Sequence, residues 1–96
     1  MKRYKPLKEG KLEQSIDKLR NERFKLLIIH GLDYEDGQFS ADIDFNNGRI
    51  DIKGNYLVIK DGRTTIEFNV NKITNFEEKD RYYSIKLKNL TLDLYV

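Results

Sequence analysis

The sequence predicts an α+β domain: one N-terminal helix, then a seven- to eight-strand antiparallel meander that forms a curved sheet or small barrel. Three observations carry this. Apolar residues recur at helical spacing near the start of the chain, at Leu12, Ile16 and Leu19. From Phe39 almost to the end they alternate with polar residues instead. Two-residue turn signals then recur at intervals that keep the alternation in phase.

The spacing predicts a helix over 11–23, preceded by a basic arm over 1–10; residues 11–96 form the single domain. The helical stripe is narrow and needs a docking surface, because so short a helix is marginal alone. Phe24 to His30 is expected to be a strand covered on both faces, since Leu26-Leu27-Ile28-Ile29 does not alternate. Residues 31–37 are expected to be loop.

Asn47-Gly48, Gly54-Asn55 and Asp61-Gly62 are the hairpin turns this reading needs. They set Phe45 opposite Ile50, Ile52 opposite Leu57, and Ile59 opposite Thr64. The outcome is a continuous four-strand meander over about 38–69 with one apolar face: Phe39, Ala41, Ile43, Phe45, Ile50, Ile52, Leu57, Ile59, Ile66 and Phe68. A short strand over 70–76 and a charged loop over 77–80 follow. A last hairpin turns at Lys88-Asn89, with Ile85 opposite Leu92 and Tyr83 opposite Leu94.

Composition narrows the chemistry. The chain of 96 residues has no cysteine, so disulfides and thiolate chemistry are excluded. A disulfide-free small domain is expected in the cytoplasm. The basic N-terminus lacks a following apolar stretch, so it does not read as a signal peptide. No apolar run is long enough to cross a bilayer. Twelve Lys, ten Ile and eight Asn stand against one Ala and one Pro, a bias that points to an AT-rich genome.

Catalytic candidates are few. His30 is the only histidine and ends an apolar strand, so it reads as structural; no nucleophile has a visible triad. Asp33 to Asp44 fails the calcium-loop pattern at its fifth and twelfth positions. No glycine-rich phosphate loop occurs. No cofactor or metal is expected.

Charge is segregated. Residues 1–25 carry nine Lys/Arg against four acids, and 26–52 carry one Arg against six acids, within a net charge of +2. The register puts Asp42, Asp44, Asp51, Lys53, Tyr56, Val58, Thr65 and Glu67 on the outer face, with Asp44 directly opposite Asp51. Like charges so placed repel, so removing Asp51 is expected to be neutral or mildly stabilising. Asp33, Glu35, Asp36, Asp42, Asp44, Asp51 and Glu67, with Tyr56 as apolar anchor, then form an acidic surface for a protein partner with a basic surface. The chain reads as a non-enzymatic binding module. The concrete form of that reading is a phage or mobile-element accessory protein that inhibits a host nucleic-acid-handling machine, anti-CRISPR-like in role. The alternative is nucleic-acid binding through the basic arm and helix (Lys2, Arg3, Tyr4, Lys5, Lys8, Lys11), with Tyr82 opposite Tyr95 as a stacking platform.

Overall fold

A computed structural model describes the backbone of residues 9–33 and 37–96 and the side chains of 14–31 and 40–96. The order is α1 (Glu9–Arg20), β1 (Phe24–Asp33), β2 (Gly37–Lys53), β3 (Tyr56–Asp61), β4 (Thr64–Asn69), a 3-10 turn (Val70–Lys72), β5 (Ile73–Glu78), β6 (Tyr82–Leu87) and β7 (Leu90–Tyr95). The strands form one antiparallel seven-stranded sheet, ordered β4-β3-β2-β1-β7-β6-β5. The expected α+β class holds, and the sheet is curved without closing into a barrel.

β2 governs the shape. Its 17 residues would span about 55 Å if straight, yet the longest dimension of the molecule is 39 Å. The strand therefore bends. Its first half pairs with β1, from Asp33 opposite Gly37 to Leu26 opposite Asp44. Its second half pairs with β3, from Arg49 opposite Lys60 to Lys53 opposite Tyr56. Between them the ladder slips: β1 advances two residues from Leu26 to Phe24 while β2 advances four, from Asp44 to Gly48. This bulge lets one strand serve both parts of the sheet.

Asn47-Gly48 is thus a kink and not a hairpin, which corrects the expected register. A type I′ turn needs positive φ at both central residues, and neither residue has it. The glycine serves close approach instead. A Cβ on Gly48 would meet the Phe45 ring at 2.9 and 3.0 Å and the Phe24 carbonyl oxygen at 3.1 Å. Asp61 holds the kink from β3, its Oδ2 accepting the Asn46 N–H at 2.7 Å. We expect Gly48→Ala to cost about 1–3 kcal/mol, as overpacking does, read from the urea midpoint; an unchanged midpoint contradicts this role.

Other expectations shift less. The meander from 38 to 69 holds three strands, not four. Gly54-Asn55 makes the expected turn, with Ile52 opposite Leu57. The next turn centres on Gly62 and Arg63, so Ile59 faces Ile66 rather than Thr64. That slip of two residues preserves the faces. Gly54 and Gly62 carry φ of +60° and +57°, at the first central position where a type II′ turn requires it. The last hairpin matches expectation, with Ile85 opposite Leu92, Tyr83 opposite Leu94 and Tyr82 opposite Tyr95. The helix begins two residues earlier than expected and ends at Arg20, so Glu9 and Gly10 belong to it and not to an arm. β1 runs on to Asp33, shortening the expected loop. The chain over 70–72 is a 3-10 turn, and β5 extends through Glu78.

The bend folds the apolar face around α1. Ile16 and Leu19 share one buried cluster with Phe24 and Leu27, with Ile50, Leu57 and Ile59 from the β2–β3 part, and with Ile73, Ile85, Leu92 and Leu94 from the β5–β7 part. Two ion pairs tie α1 to the sheet: Lys18 to Glu78 of β5 at 3.6 Å and Arg20 to Asp51 of β2 at 2.9 Å. Of the expected apolar face, Ala41 is exposed and Ile43, Ile52, Ile66 and Phe68 are half-buried. No helix among the described residues is long and apolar enough to cross a membrane.

Candidate functional site

Strand alternation sends Arg49, Asp51 and Lys53 of β2, and Tyr56, Val58 and Lys60 of β3, to the face opposite the core. The register makes them cross-strand pairs: Arg49 with Lys60, Asp51 with Val58, Lys53 with Tyr56. Beyond Gly48, β2 has no strand partner on its β1 side among the described residues. Arg20, at the C-terminal end of α1, reaches round that open edge and donates its Nε to Asp51 Oδ1 at 2.9 Å. Its Nη1 donates to Asp17.

These residues enclose a shallow cavity of about 310 Å³, lined by Arg20, Arg49, Ile50, Asp51, Lys53, Val58 and Lys60. That volume lies at the lower end of the ~300–1,000 Å³ typical of ligand sites. Val58 is only 5% exposed although it sits on the outward face; it lies between the side chains of Asp51 and Glu67 directly opposite and the long ones of Arg49 and Lys53 on the diagonals. Tyr56, in the neighbouring row on the same face, is 48% exposed.

The cavity is electropositive: four cations against one carboxylate. Arg49, Lys53 and Lys60 form no ion pair among the described residues. Asp51 has a structural task. An antiparallel hairpin ladder turns the Ile52 N–H away from β3, and Asp51 Oδ1 accepts it at 2.7 Å. The Ile52 N–H first, and then Arg20, hold the Asp51 carboxyl below the usual carboxylate range. Arg20 is raised in turn, chiefly by its hydrogen bond to Asp51. Asp51 is therefore ionised at neutral pH. Its depressed folded pKa gives a stabilising contribution above the unfolded-state pKa, lost as pH falls through the folded one.

The expected acidic surface takes a different arrangement. Asp44 lies opposite Leu26 and Asp51 opposite Val58, so the repulsive Asp44–Asp51 pair does not form. Removing Asp51 takes away the partners of Ile52 and Arg20 rather than relieving a clash. Asp42 and Asp44 lie on the first half of β2, before the kink, whereas Asp51, Tyr56 and Glu67 share the β2–β4 face, with Glu67 opposite Val58. Asp33 ends β1 and Lys11 lies in α1, both described by backbone alone. Glu35 and Asp36, and Lys2, Arg3, Tyr4, Lys5 and Lys8, lie outside the described residues. Tyr82 and Tyr95 stack on each other with ring centroids 4.8 Å apart. His30 is exposed, its Nε2 3.0 Å from Asp93 Oδ2, on the β1–β7 part of the sheet.

Sequence reasoning missed Arg20, Arg49 and Lys60 as members of one site. The signal for two of them was present: the alternation that turns Asp51 and Tyr56 outward turns Arg49 and Lys60 outward as well. Arg20 was legible only as one of the basic residues of the helix, with nothing local to place it beside β2. Comparison with protein-family models, with curated proteins and with solved structures returned no match.

Proposed function

We propose that this domain is a nucleic-acid-binding module that grips phosphates with the cations around the β2–β3 cavity. One observation carries the reading: Arg20, Arg49, Lys53 and Lys60 converge on a single cavity whose lining holds one carboxylate, Asp51. Clustered Lys and Arg are the electrostatic footprint of phosphate recognition. The reading takes up the nucleic-acid alternative drawn from the sequence but moves its seat from the basic arm and helix to the sheet. It replaces the basic protein partner, because the β2 kink divides Asp42 and Asp44 from Asp51 and Glu67, and Asp51 is paired with Arg20.

Binding suits the site better than catalysis. The only carboxylate lining it is held ionised at neutral pH by two hydrogen bonds, which removes it as a proton donor. The test is a salt titration of oligonucleotide affinity by fluorescence anisotropy. Three to four phosphate contacts predict a slope of log K against log salt of about −2 to −3, given roughly −0.7 per contact for single strands. No binding at low salt, or a flat slope, overturns the proposal.

A further inference from the structure

The geometry points to a narrower ligand, and the inference rests on the nucleic-acid reading above: we propose that the cavity receives an unpaired nucleobase, so the ligand is a single strand. Two features of the cavity, and one residue outside its lining, are of no use to a phosphate and suit a base.

The first is its floor. Val58 is an apolar side chain in the cavity lining, set between Asp51 and Glu67 in its cross-strand row, where a phosphate finds no partner and the flat face of a base finds a dry contact. The second is Tyr56. It lies two residues along β3 from Val58, on the same face and opposite Lys53. It is the most exposed large apolar side chain of the described residues, and its ring has no aromatic partner among them. An aromatic face free beside a cationic groove is the working part of single-strand recognition. Tyr82 and Tyr95 differ on this point, because each is already covered by the other.

The third feature is Asp51. A carboxylate in a cavity built only for phosphate repels its ligand. Both hydrogen bonds that Asp51 makes among the described residues use Oδ1, leaving Oδ2 to accept another donor. An exocyclic amino group of a base is such a donor, and a carboxylate accepting from the cytosine amino group is an established mode of base readout. The base then stacks by Tyr56 over Val58 and donates to Asp51 Oδ2. The flanking phosphates meet Lys53 on one side and the Arg49–Lys60 pair on the other. A duplex keeps its bases stacked inside and cannot fill this cavity without extruding one.

The experiment measures affinities by anisotropy at one fixed salt concentration for four probes of about 10 nucleotides: deoxycytidine and cytidine homopolymers, an abasic deoxyribose phosphate polymer, and a DNA duplex. At least one cytosine series should bind 10-fold or more tighter than the abasic polymer and the duplex, and the better series identifies the sugar. Tyr56→Ala should shrink that gap at least threefold while leaving abasic affinity unchanged. Asp51→Asn should move the two probes in opposite directions, tightening the abasic polymer by removing a like charge and weakening cytosine by removing the acceptor. Circular dichroism confirms that each variant is folded, and Tyr56→Ala suffices should Asp51→Asn not fold. Equal affinity for cytosine and abasic polymers, or duplex binding as tight as the single strand, overturns the base pocket while the phosphate-gripping module stands. No binding of any probe overturns both.

Discussion

Phe24→Ala should remove about 3–5 kcal/mol of stability, the usual cost of truncating a buried aromatic. A domain of this length has roughly 5–14 kcal/mol in all, so the variant should lose a large share of its stability. Phe24 opens β1 and is fully buried. Its ring meets Tyr83 of β6 edge to face, with centroids 6.2 Å apart and planes at 84°. Its backbone is the last partner of β2 before the strand turns away, opposite Gly48. One residue therefore joins the kink to the far part of the sheet. Truncation leaves a cavity where the two parts meet, and the neighbours cannot collapse without moving the bulge. Urea denaturation checks this. A matching truncation at the exposed Tyr56 should shift stability by no more than about 0.5 kcal/mol, and equal effects at the two positions would contradict the assignment of core and surface.

Reversing two charges, Arg49→Glu with Lys60→Glu, should weaken oligonucleotide binding on the order of 100-fold at low salt and reduce the salt slope by about 1.4, two contacts at roughly 0.7 each. The two side chains are directly opposed across β2 and β3, so both changes fall on one wall of the cavity. Neither residue makes an ion pair among the described residues, which leaves no folded-state partner to strand. Stability should therefore change little while binding collapses. A double variant that still binds with the wild-type slope would place the phosphate contacts elsewhere.

Much of this fold was legible because strand alternation and turn chemistry are local. Gly54-Asn55 and Lys88-Asn89 set their hairpins correctly, and even the shifted turn at Gly62 kept Ile59 and Ile66 on the core side. The failure at Asn47-Gly48 was a contest between local and distant pairing. The dipeptide has strong hairpin chemistry, but β1 offers Leu27 and Ile29 as partners for Ile43 and Ala41. Pairing of that central strand to β2 and β7 outweighs a turn preference, although its two faces are not both covered as expected: Phe24 and Leu27 are buried, and Leu26, Ile28 and Ile29 only half-buried. A turn reading cannot weigh a strand that lies some 15 residues earlier in the chain.

The site was less legible, for a related reason. Counting charge along the chain made 26–52 an acidic segment. The kink then sends Asp42 and Asp44 to one part of the sheet and Asp51 to another. Arg20 is 31 residues from Asp51 in sequence, and only the docked helix brings it to the open edge of β2. An acidic stretch of sequence thus contributes one wall of a basic cavity.

The most direct measurement is a map of backbone amide and side-chain NMR shifts as a single-stranded oligonucleotide is added to the labelled domain. Shifts should concentrate at Arg20, at 49–53 and at 56–60, with the Tyr56 ring protons among the largest. Shifts confined to Tyr82 and Tyr95, or to residues 1–11, with Arg49, Val58 and Lys60 unmoved, would contradict binding at the cavity.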